Sequence, residues 1–460
     1  MKLRSRLSLY TLIISGFSFF VSVIILVTFD YSVSDSPKFN SKSRGHKVEQ
    51  KAPISQPLVQ KQNGSSKLLP TVDLTLISRL IDDKLNNAQF MDKLISINPI
   101  DEINFDSESL SIQSTHHDRP ESIWNIAANW INAREIIPEN ASNLDSITRL
   151  MVESKIVKSS IPSKGTQLKV MLVLDGNQQV LFKPMRFPRD HIINGEPYAG
   201  SDRHNGEIVA FHLSRILNLR TAPITVGRRL HVTKELKSTA SANLLATFLT
   251  QTDLTDCFYG RCLYCNQRDY ICPNQKDGFL EGALVLMFPS RFRLERVRSP
   301  WQRTYKTKVK AKWEIDGLYC YNRVVPVLTI QRILDLIDTS IFDYLLGNAD
   351  RHHYEIFRGT PESAILLIDN GKSFGNPFKD ELSILAPLYQ CCLVRRSTYR
   401  RLLTVEKNGL SNLIETFTRK DPLYPLLTGE HLFALDRRLK QILALIDICL
   451  DEKGESKVFQ

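Results

Sequence analysis

Two short motifs late in the chain hold the residue types that phosphoryl transfer needs. The first reads Gly347-Asn348-Ala349-Asp350-Arg351-His352-His353-Tyr354-Glu355. The second reads Leu366-Leu367-Ile368-Asp369-Asn370-Gly371-Lys372-Ser373-Phe374-Gly375. Eighteen residues lie between Asp350 and Asp369, enough for a loop and one short strand, so both carboxylates can reach the mouth of one site. In a kinase, one Asp orients the acceptor hydroxyl and takes its proton, and another holds the divalent metal that bridges the phosphates. Asp369-Asn370-Gly371 stands where ordinary kinases carry Asp-Phe-Gly. Taken singly, an Asp-Arg or an Asp-Asn-Gly is an ordinary capped turn. The pair in this order, after a long helix, is harder to dismiss.

The remaining parts lie upstream. Phe182-Lys183-Pro184 ends an apolar run, where a kinase sets its phosphate-binding Lys. Asp202-Arg203-His204-Asn205-Gly206-Glu207 opens the following helix, and one of these acids is expected to pair with Lys183 or reach the metal. A single Lys on a strand is commonly a solvated surface group; acids at a helix start make Lys183 a better candidate. The usual Gly-x-Gly-x-x-Gly is absent, and Lys164-Gly165-Thr166-Gln167 occupies its place with a single glycine.

The elements that must position these residues follow from periodicity. Residues 71–97 and 122–137 carry spaced apolar positions that predict helices, the second with Trp124 and Trp130 on one buried side. Residues 168–174 and 179–182 are β-rich runs flanking Asp175-Gly176-Asn177, a hairpin turn signal. Residues 206–216 predict a helix, 283–288 a buried strand, 327–346 a long amphipathic helix, and 364–368 a strand ending at Asp369. Strands first and helices later match a two-lobed kinase plan. The expected architecture is α+β: a helical segment over 71–144, then a kinase-like domain over 145–455 whose smaller lobe extends to about residue 288.

Residues 7–29 contain no charge and follow Lys2, Arg4 and Arg6. A membrane-spanning helix needs about 20 apolar residues, whereas the apolar core of a cleavable signal peptide has only about 7–15. The stretch therefore reads as a transmembrane signal anchor, with residues 1–6 cytoplasmic and the rest lumenal. Residues 30–70, rich in Ser, Lys and Gln, form a flexible stem. Asn63-Gly64-Ser65 and Asn140-Ala141-Ser142 are glycosylation sequons. The net charge of +11 would suit nucleic acid in a cytosolic protein; a lumenal chain meets none, which leaves an anionic glycan or nucleotide. Eight cysteines, all beyond residue 250, read in such a compartment as disulfides. Cys257, Cys262, Cys265 and Cys272 cluster, and their spacing leaves a four-cysteine zinc site as the alternative.

The run from Asp350 to Glu355, the turn from Asp369 to Gly375, and Leu388-Tyr389-Gln390-Cys391-Cys392 resemble the secretory-pathway kinase family that includes the Golgi casein kinase. Gly195-Glu196-Pro197-Tyr198-Ala199-Gly200 before Asp202, Cys257-Phe258-Tyr259-Gly260, and Tyr264-Cys265 are similar to one subgroup. That subgroup phosphorylates the 2-hydroxyl of xylose in the proteoglycan linkage region, using ATP and manganese, with magnesium as an alternative. The resemblance covers residues 122–450. It implies Asp350 as the catalytic Asp, Asp369 as metal ligand and ATP contact, Lys183 and Gln167 as nucleotide contacts, and Asp202 as the acid near the metal. Protein-kinase relatives use Glu at that position, and the shorter Asp202 departs from that pattern at the metal contact; Glu207, about one turn on, is the alternative ion-pair partner of Lys183. Glu355 falls where ordinary kinases put an Asn metal ligand, and Val285, Leu286, Met287 and Phe288 where the adenine pocket is lined. The resemblance further implies four disulfides, joining Cys257 to Cys272, Cys262 to Cys265, Cys320 to Cys391 and Cys392 to Cys449. It places the chain in the Golgi membrane as a single-pass type II protein, its partner a galactose-xylose glycan on a core protein.

Two other activities fit the same phosphoryl-transfer parts: a lumenal protein serine kinase, and a pseudokinase that activates a relative. The pseudokinase is weakened by the presence of Lys183, Asp350 and Asp369. No motif marks the residues that read the acceptor. Aromatic and basic groups within residues 301–313 are candidates for stacking on a sugar or steering an anionic proteoglycan, with core packing and solvated surface as the plain alternative.

Overall fold

The computed structural model describes residues 72–96, 120–163, 165–306 and 308–460. The expected cytoplasmic tail, anchor and stem, and the sequon at Asn63, lie outside the described residues. Among those described, no helix is long and apolar enough to cross a membrane.

The smaller lobe is a five-stranded antiparallel sheet in the order β1-β2-β3-β7-β4. Its strands are β1 (Ile156–Ser160), β2 (Val170–Leu174), β3 (Gln178–Pro184), β4 (Thr225–His231) and β7 (Phe279–Leu286). The β2–β3 hairpin forms as the turn residues dictate: Gly176 (φ 74°) and Asn177 (φ 59°) both take the left-handed conformation, which these two residue types tolerate best. Register Val170↔Phe182 and Leu172↔Val180 puts all four of those side chains on the inner face, each fully buried and contributing about 1.5–3 kcal/mol. A strand alternates faces, so the same register turns Lys183 to the opposite face. There it meets α5 (His204–Ile216). Nearly all of α5 is buried, and it joins both cores: Ile208, Val209 and Leu213 belong to the core of the larger lobe and Phe211 to that of the smaller.

The larger lobe is built on α6 (Ile330–Leu346), fifteen of whose seventeen residues are buried. Thr329 caps its start by accepting from the Arg332 N–H, and Gly347 (φ 70°) ends it in the left-handed conformation. That glycine stop releases the chain at Asn348 and aims Asp350 toward the cleft. Against α6 pack α7 (Ala386–Cys391) and the long α10 (Gly429–Lys453), and on α10 pack α8 (Arg396–Asn408) and α9 (Leu410–Thr418). A two-stranded ribbon, β8 (Leu294–Arg298) with β9 (His353–Phe357), crosses the front. A second ribbon, β5 (Phe248–Thr250) with β6 (Asp256–Phe258), leads into the cysteine-rich segment.

Four expectations change in detail. The helix expected over 71–97 is two helices, α1 (Leu74–Leu85) and α2 (Ala88–Ser96). Both pack on the larger lobe through Ile77, Ile81, Phe90 and Leu94, with Lys84 and Lys93 on Asp447 at 2.8 and 2.6 Å. The next helix, α3 (Pro120–Trp130), stops seven residues before Ile137, and Trp124 is buried while Trp130 is only half-buried. With α4 (Leu144–Glu153) it packs in the core of the smaller lobe, so the helices that precede the sheet are divided between the lobes. The strand expected over 364–368 is a single bridge, Leu366 to Glu355, because the Ala364 and Leu367 N–H groups donate instead to the carbonyls of Ala133 and Thr221. The cysteines pair as Cys257–Cys272, Cys262–Cys265, Cys320–Cys391 and Cys392–Cys449, which removes the zinc alternative. The Cys320–Cys391 bond closes 71 residues of chain, a constraint worth about 2–4 kcal/mol.

Candidate active site

Lys183 is the buried centre of the phosphate side. It is 5% exposed, and its Nζ donates to Glu207 Oε1 at 2.5 Å and to Asp369 Oδ1 at 2.7 Å. Burial works against the ammonium, but Asp369, Glu207 and Asp202 outweigh it and hold the Lys183 pKa above its ordinary value. Glu207 is therefore the ion-pair partner, and Asp202 is left free for another role. Its carboxyl is pushed up by burial, against the pull of Lys183, and Asp369 and Glu207 add to the rise. Asp369 goes the other way: the Lys183 ammonium holds it well below the usual carboxylate range, and its side chain is 62% exposed to the cleft.

The turn that carries Asp369 is held from two directions. Asp369 itself sits at φ 60°, a left-handed conformation that non-glycine residues adopt at a cost of about 1–3 kcal/mol. Arg351 spans the gap between the motifs: its guanidinium donates to Asp343 at 2.5 and 2.8 Å, to the Ile368 carbonyl at 2.9 Å and to Asn370 Oδ1 at 2.7 Å. From the other side the Arg203 N–H donates to the Gly371 carbonyl at 2.7 Å and its Nε to that of Ser373 at 2.5 Å. A Cβ on Gly371 would lie 2.6 Å from the Asp202 Cβ; only glycine lets Asp202 lie against this turn.

Asp350 has a different setting. Its Oδ1 accepts from the Tyr305 hydroxyl at 2.5 Å, and that hydroxyl lies 3.0 Å from His352 Nδ1. His352 is raised by its bond to Asp350. Burial, then the Asp350 carboxylate, raises Tyr305. Tyr198 packs edge-on against Tyr305, ring centroids 4.6 Å apart.

These groups border a cleft of about 660 Å³. Of the residues expected from sequence, Gln167, Asp202, Asp350, Glu355 and Asp369 line it, with Lys183 and Glu207 joined to it through Asp369. Glu355 is raised by burial and lies opposite Arg296 in the ribbon. Val285, Leu286, Met287 and Phe288 do not border this cleft. The last three edge a separate small hollow against α3, where the Leu286 and Met287 N–H groups donate to the Ile224 and Gln179 carbonyls at 2.9 and 3.1 Å. Trp301 and Trp313 are buried, donating to Gln390 at 2.8 Å and to the Gln302 carbonyl at 3.0 Å; they are core, not a sugar platform. Sequence reasoning held Tyr305 only within the 301–313 stretch and His352 only within its motif, without their tie to Asp350, and missed Arg296. A lone Tyr in a lysine-rich loop carries no signal, and the ribbon that brings it to Asp350 is a long-range pairing. The segment standing in for a glycine-rich loop is pinned instead by the cysteine-rich one: Leu263 and Tyr264 donate to the carbonyls of Gly165 and Thr166, each at 3.1 Å.

Residues 122–458 match the family model described as Fam20C, the Golgi casein kinase C-terminal domain. The chain belongs to the Fam20 kinase family. It is 47% identical over 337 residues to the glycosaminoglycan xylosylkinase of Danio rerio, which covers 73% of this chain and 82% of that one. The structure of hydra Fam20 with sugar superimposes with a TM-score of 0.70 at 44% identity, covering 74% of this chain and 98% of that one. The Golgi casein kinase with Mn/ADP bound gives 0.67 at 29%, covering 88% and 97%. The two-lobed kinase-like fold is that of the Fam20 family.

The charges on the phosphate side fit a Fam20 metal–nucleotide site. Asp202, Glu207 and Asp369 surround one ammonium, an excess of negative charge that a divalent cation neutralises. Among the described residues no three His, Cys, Asp or Glu converge as a ready-made metal cage. Hard cations such as magnesium and manganese are commonly held by one or two carboxylates with the phosphates completing the shell. Asp369 and Asp202 both line the cleft and would be the carboxylates to do so.

Proposed function

We propose that this chain is an ATP-dependent kinase that phosphorylates the 2-hydroxyl of xylose in the glycosaminoglycan–protein linkage region, promoting proteoglycan synthesis, with manganese as its cation and magnesium as the alternative. One observation carries the phosphoryl transfer: the buried Lys183–Glu207–Asp369 set and Asp350 face one cleft from two sides. The xylose acceptor is supported by 47% identity to the Danio rerio glycosaminoglycan xylosylkinase and by the likeness to hydra Fam20 with sugar. ATP and manganese are supported by the likeness to the Golgi casein kinase with Mn/ADP bound.

Each residue then has a task. Lys183 neutralises phosphate oxygens, and Glu207 fixes its ammonium from behind. Asp369 and Asp202 would hold the cation, which when bound draws charge from the phosphates. Gln167, on the cleft roof, contacts the nucleotide. Asp350 accepts the proton of the xylose 2-hydroxyl as its oxygen bonds to the γ-phosphorus, and the bond from that phosphorus to the bridging oxygen of ADP breaks. Tyr305 and His352 orient the Asp350 carboxylate. The same reading sets the chain in the Golgi membrane with a lumenal catalytic domain. It is supported by four disulfides, which need an oxidising compartment, and by the exposed sequon at Asn140.

Full-length protein, labelled ATP and manganese, offered a galactosyl-xyloside beside an acidic Ser peptide, tests the proposal. Preferential labelling of the xyloside at its 2-hydroxyl supports it. A higher kcat/KM on the peptide overturns it in favour of a protein serine kinase.

A further inference from the structure

Between Arg291 and Lys312 the chain carries Arg291, Arg293, Arg296, Arg298, Arg303, Lys306, Lys308, Lys310 and Lys312 against a single acid, Glu295. The proposed phosphate chemistry uses none of them. Eight are exposed; Arg303 is half-buried, bonded to the Ala349 carbonyl at 3.2 Å. None of the ion pairs among the described residues involves Lys306, Lys308, Lys310 or Lys312. The fold ties this charge to the cleft mouth. Strand β8 sets Arg296 opposite Glu355 and Arg298 opposite His353. Lys306 directly follows Tyr305, whose hydroxyl touches Asp350. A turn closed by the Val309 N–H on the Lys306 carbonyl at 3.1 Å holds the next lysines beside it.

We propose that this basic rim binds an acidic stretch of the core protein on either side of the glycan attachment. The proposal rests on the xylose-kinase reading. Xylose at the reducing end of the linkage glycan is bonded to the protein itself, so the peptide emerges one residue from the hydroxyl held at Asp350. An extended chain advances about 3.3 Å per residue, so the flanking peptide must pass over the rim. Unpaired lysines around a cleft attract an anionic ligand and speed its encounter more than they fix its final geometry. The enzyme would thereby favour attachment sites set among Asp and Glu.

The test compares three acceptors with full-length protein: a galactosyl-xyloside without peptide, and galactosyl-xylosyl Ser glycopeptides with acidic or with neutral flanks. Wild type is expected to prefer the acidic glycopeptide over the neutral one by about tenfold in kcat/KM, a preference that shrinks as salt rises. The variant Lys306→Ser/Lys308→Ser/Lys310→Ser should lose that preference and keep wild-type kcat/KM on the peptide-free xyloside. Equal rates of wild type on the two glycopeptides overturn the proposal, as does a variant that loses activity equally on all three acceptors. Competition by heparin without any discrimination between the glycopeptides also overturns it, assigning the rim to a sulfated polysaccharide. No turnover of the xyloside by wild type overturns the xylose-kinase reading itself, and the rim proposal with it.

Discussion

The two sides of the cleft are built in opposite ways. On the phosphate side a buried Lys183 is locked between two carboxylates at 2.5 and 2.7 Å, and Arg351 and Arg203 brace the turn behind it. On the acceptor side Asp350 is half-buried with a Tyr and a His for neighbours and, among the described residues, no Lys or Arg bonded to it as Lys183 is to Asp369, beside a rim of free lysines. The difference follows from what each side must recognise. Triphosphate and cation are the same in every cycle, so rigid charges prepared in advance lower the barrier without reorganisation. An acceptor attached to varied proteins enters from outside and calls for an open, hydrated approach.

The sharpest way to break this comparison is at Asp350. Asp350→Asn should leave the fold and manganese–ATP binding intact and lower kcat by about 10²–10⁴-fold, the usual worth of a positioned proton acceptor. Single-turnover kinetics beside calorimetry will separate the two effects. Near-normal turnover by a folded variant would remove Asp350 from its role. Asp369→Ala should do the reverse: manganese–ATP affinity is lost because the phosphate charges lose the cation that bridges them. Unchanged affinity by calorimetry would sink that assignment.

A third variant tests the bracing. Asp343 is buried under Arg351, where burial pushes its carboxyl up against the pull of that guanidinium. Asp343→Ala leaves the Arg351 charge buried without its partner, so stability should fall by about 3–5 kcal/mol. The loss is read as a shifted midpoint in denaturant unfolding. A change below about 1 kcal/mol would mean that the strut bears little of the turn's stability.

The same division explains what the sequence disclosed. Asp350, Asp369, Lys183 and the Asp202–Glu207 helix start were legible because each sits where an element ends, and helix stops, strand ends and turns leave local marks. The β2–β3 hairpin and α6 were legible for the same reason, through Asp-Gly and through apolar periodicity. The rest depends on contacts distant along the chain. Asp343 looks like one polar residue on a helix until Arg351 folds back on it. Tyr305 looks like a loop residue until β8 pairs with β9. Val285–Phe288 were expected as an adenine wall, but a continuous apolar run does not disclose which way each side chain turns when β7 lies between β3 and β4. The division of α1–α2 and α3–α4 between the lobes was likewise invisible, since amphipathic helices declare a buried face but not its partner.

The smallest expected effect lies at Tyr305. Its hydroxyl donates to the same carboxylate that must receive the acceptor proton. An ionised carboxylate offers about four lone-pair sites, so Tyr305 and a sugar hydroxyl can share Asp350 rather than compete for it. Tyr305 then acts as a positioning residue, holding the carboxylate plane while His352 holds the Tyr hydroxyl. Tyr305→Phe keeps the ring and its edge-on contact with Tyr198 and removes only the hydroxyl. A neutral donor to a charged acceptor contributes about 1.5–3 kcal/mol when buried. This pair is open to solvent, so the loss should lie at the lower end, about tenfold in kcat. KM for the xyloside and affinity for manganese–ATP should stay near wild type, because neither depends on how the carboxylate is turned. The opposite split, a several-fold fall in KM with kcat unchanged, would show that the Tyr305 hydroxyl occupies the acceptor's own place on Asp350 and has to be displaced in every cycle.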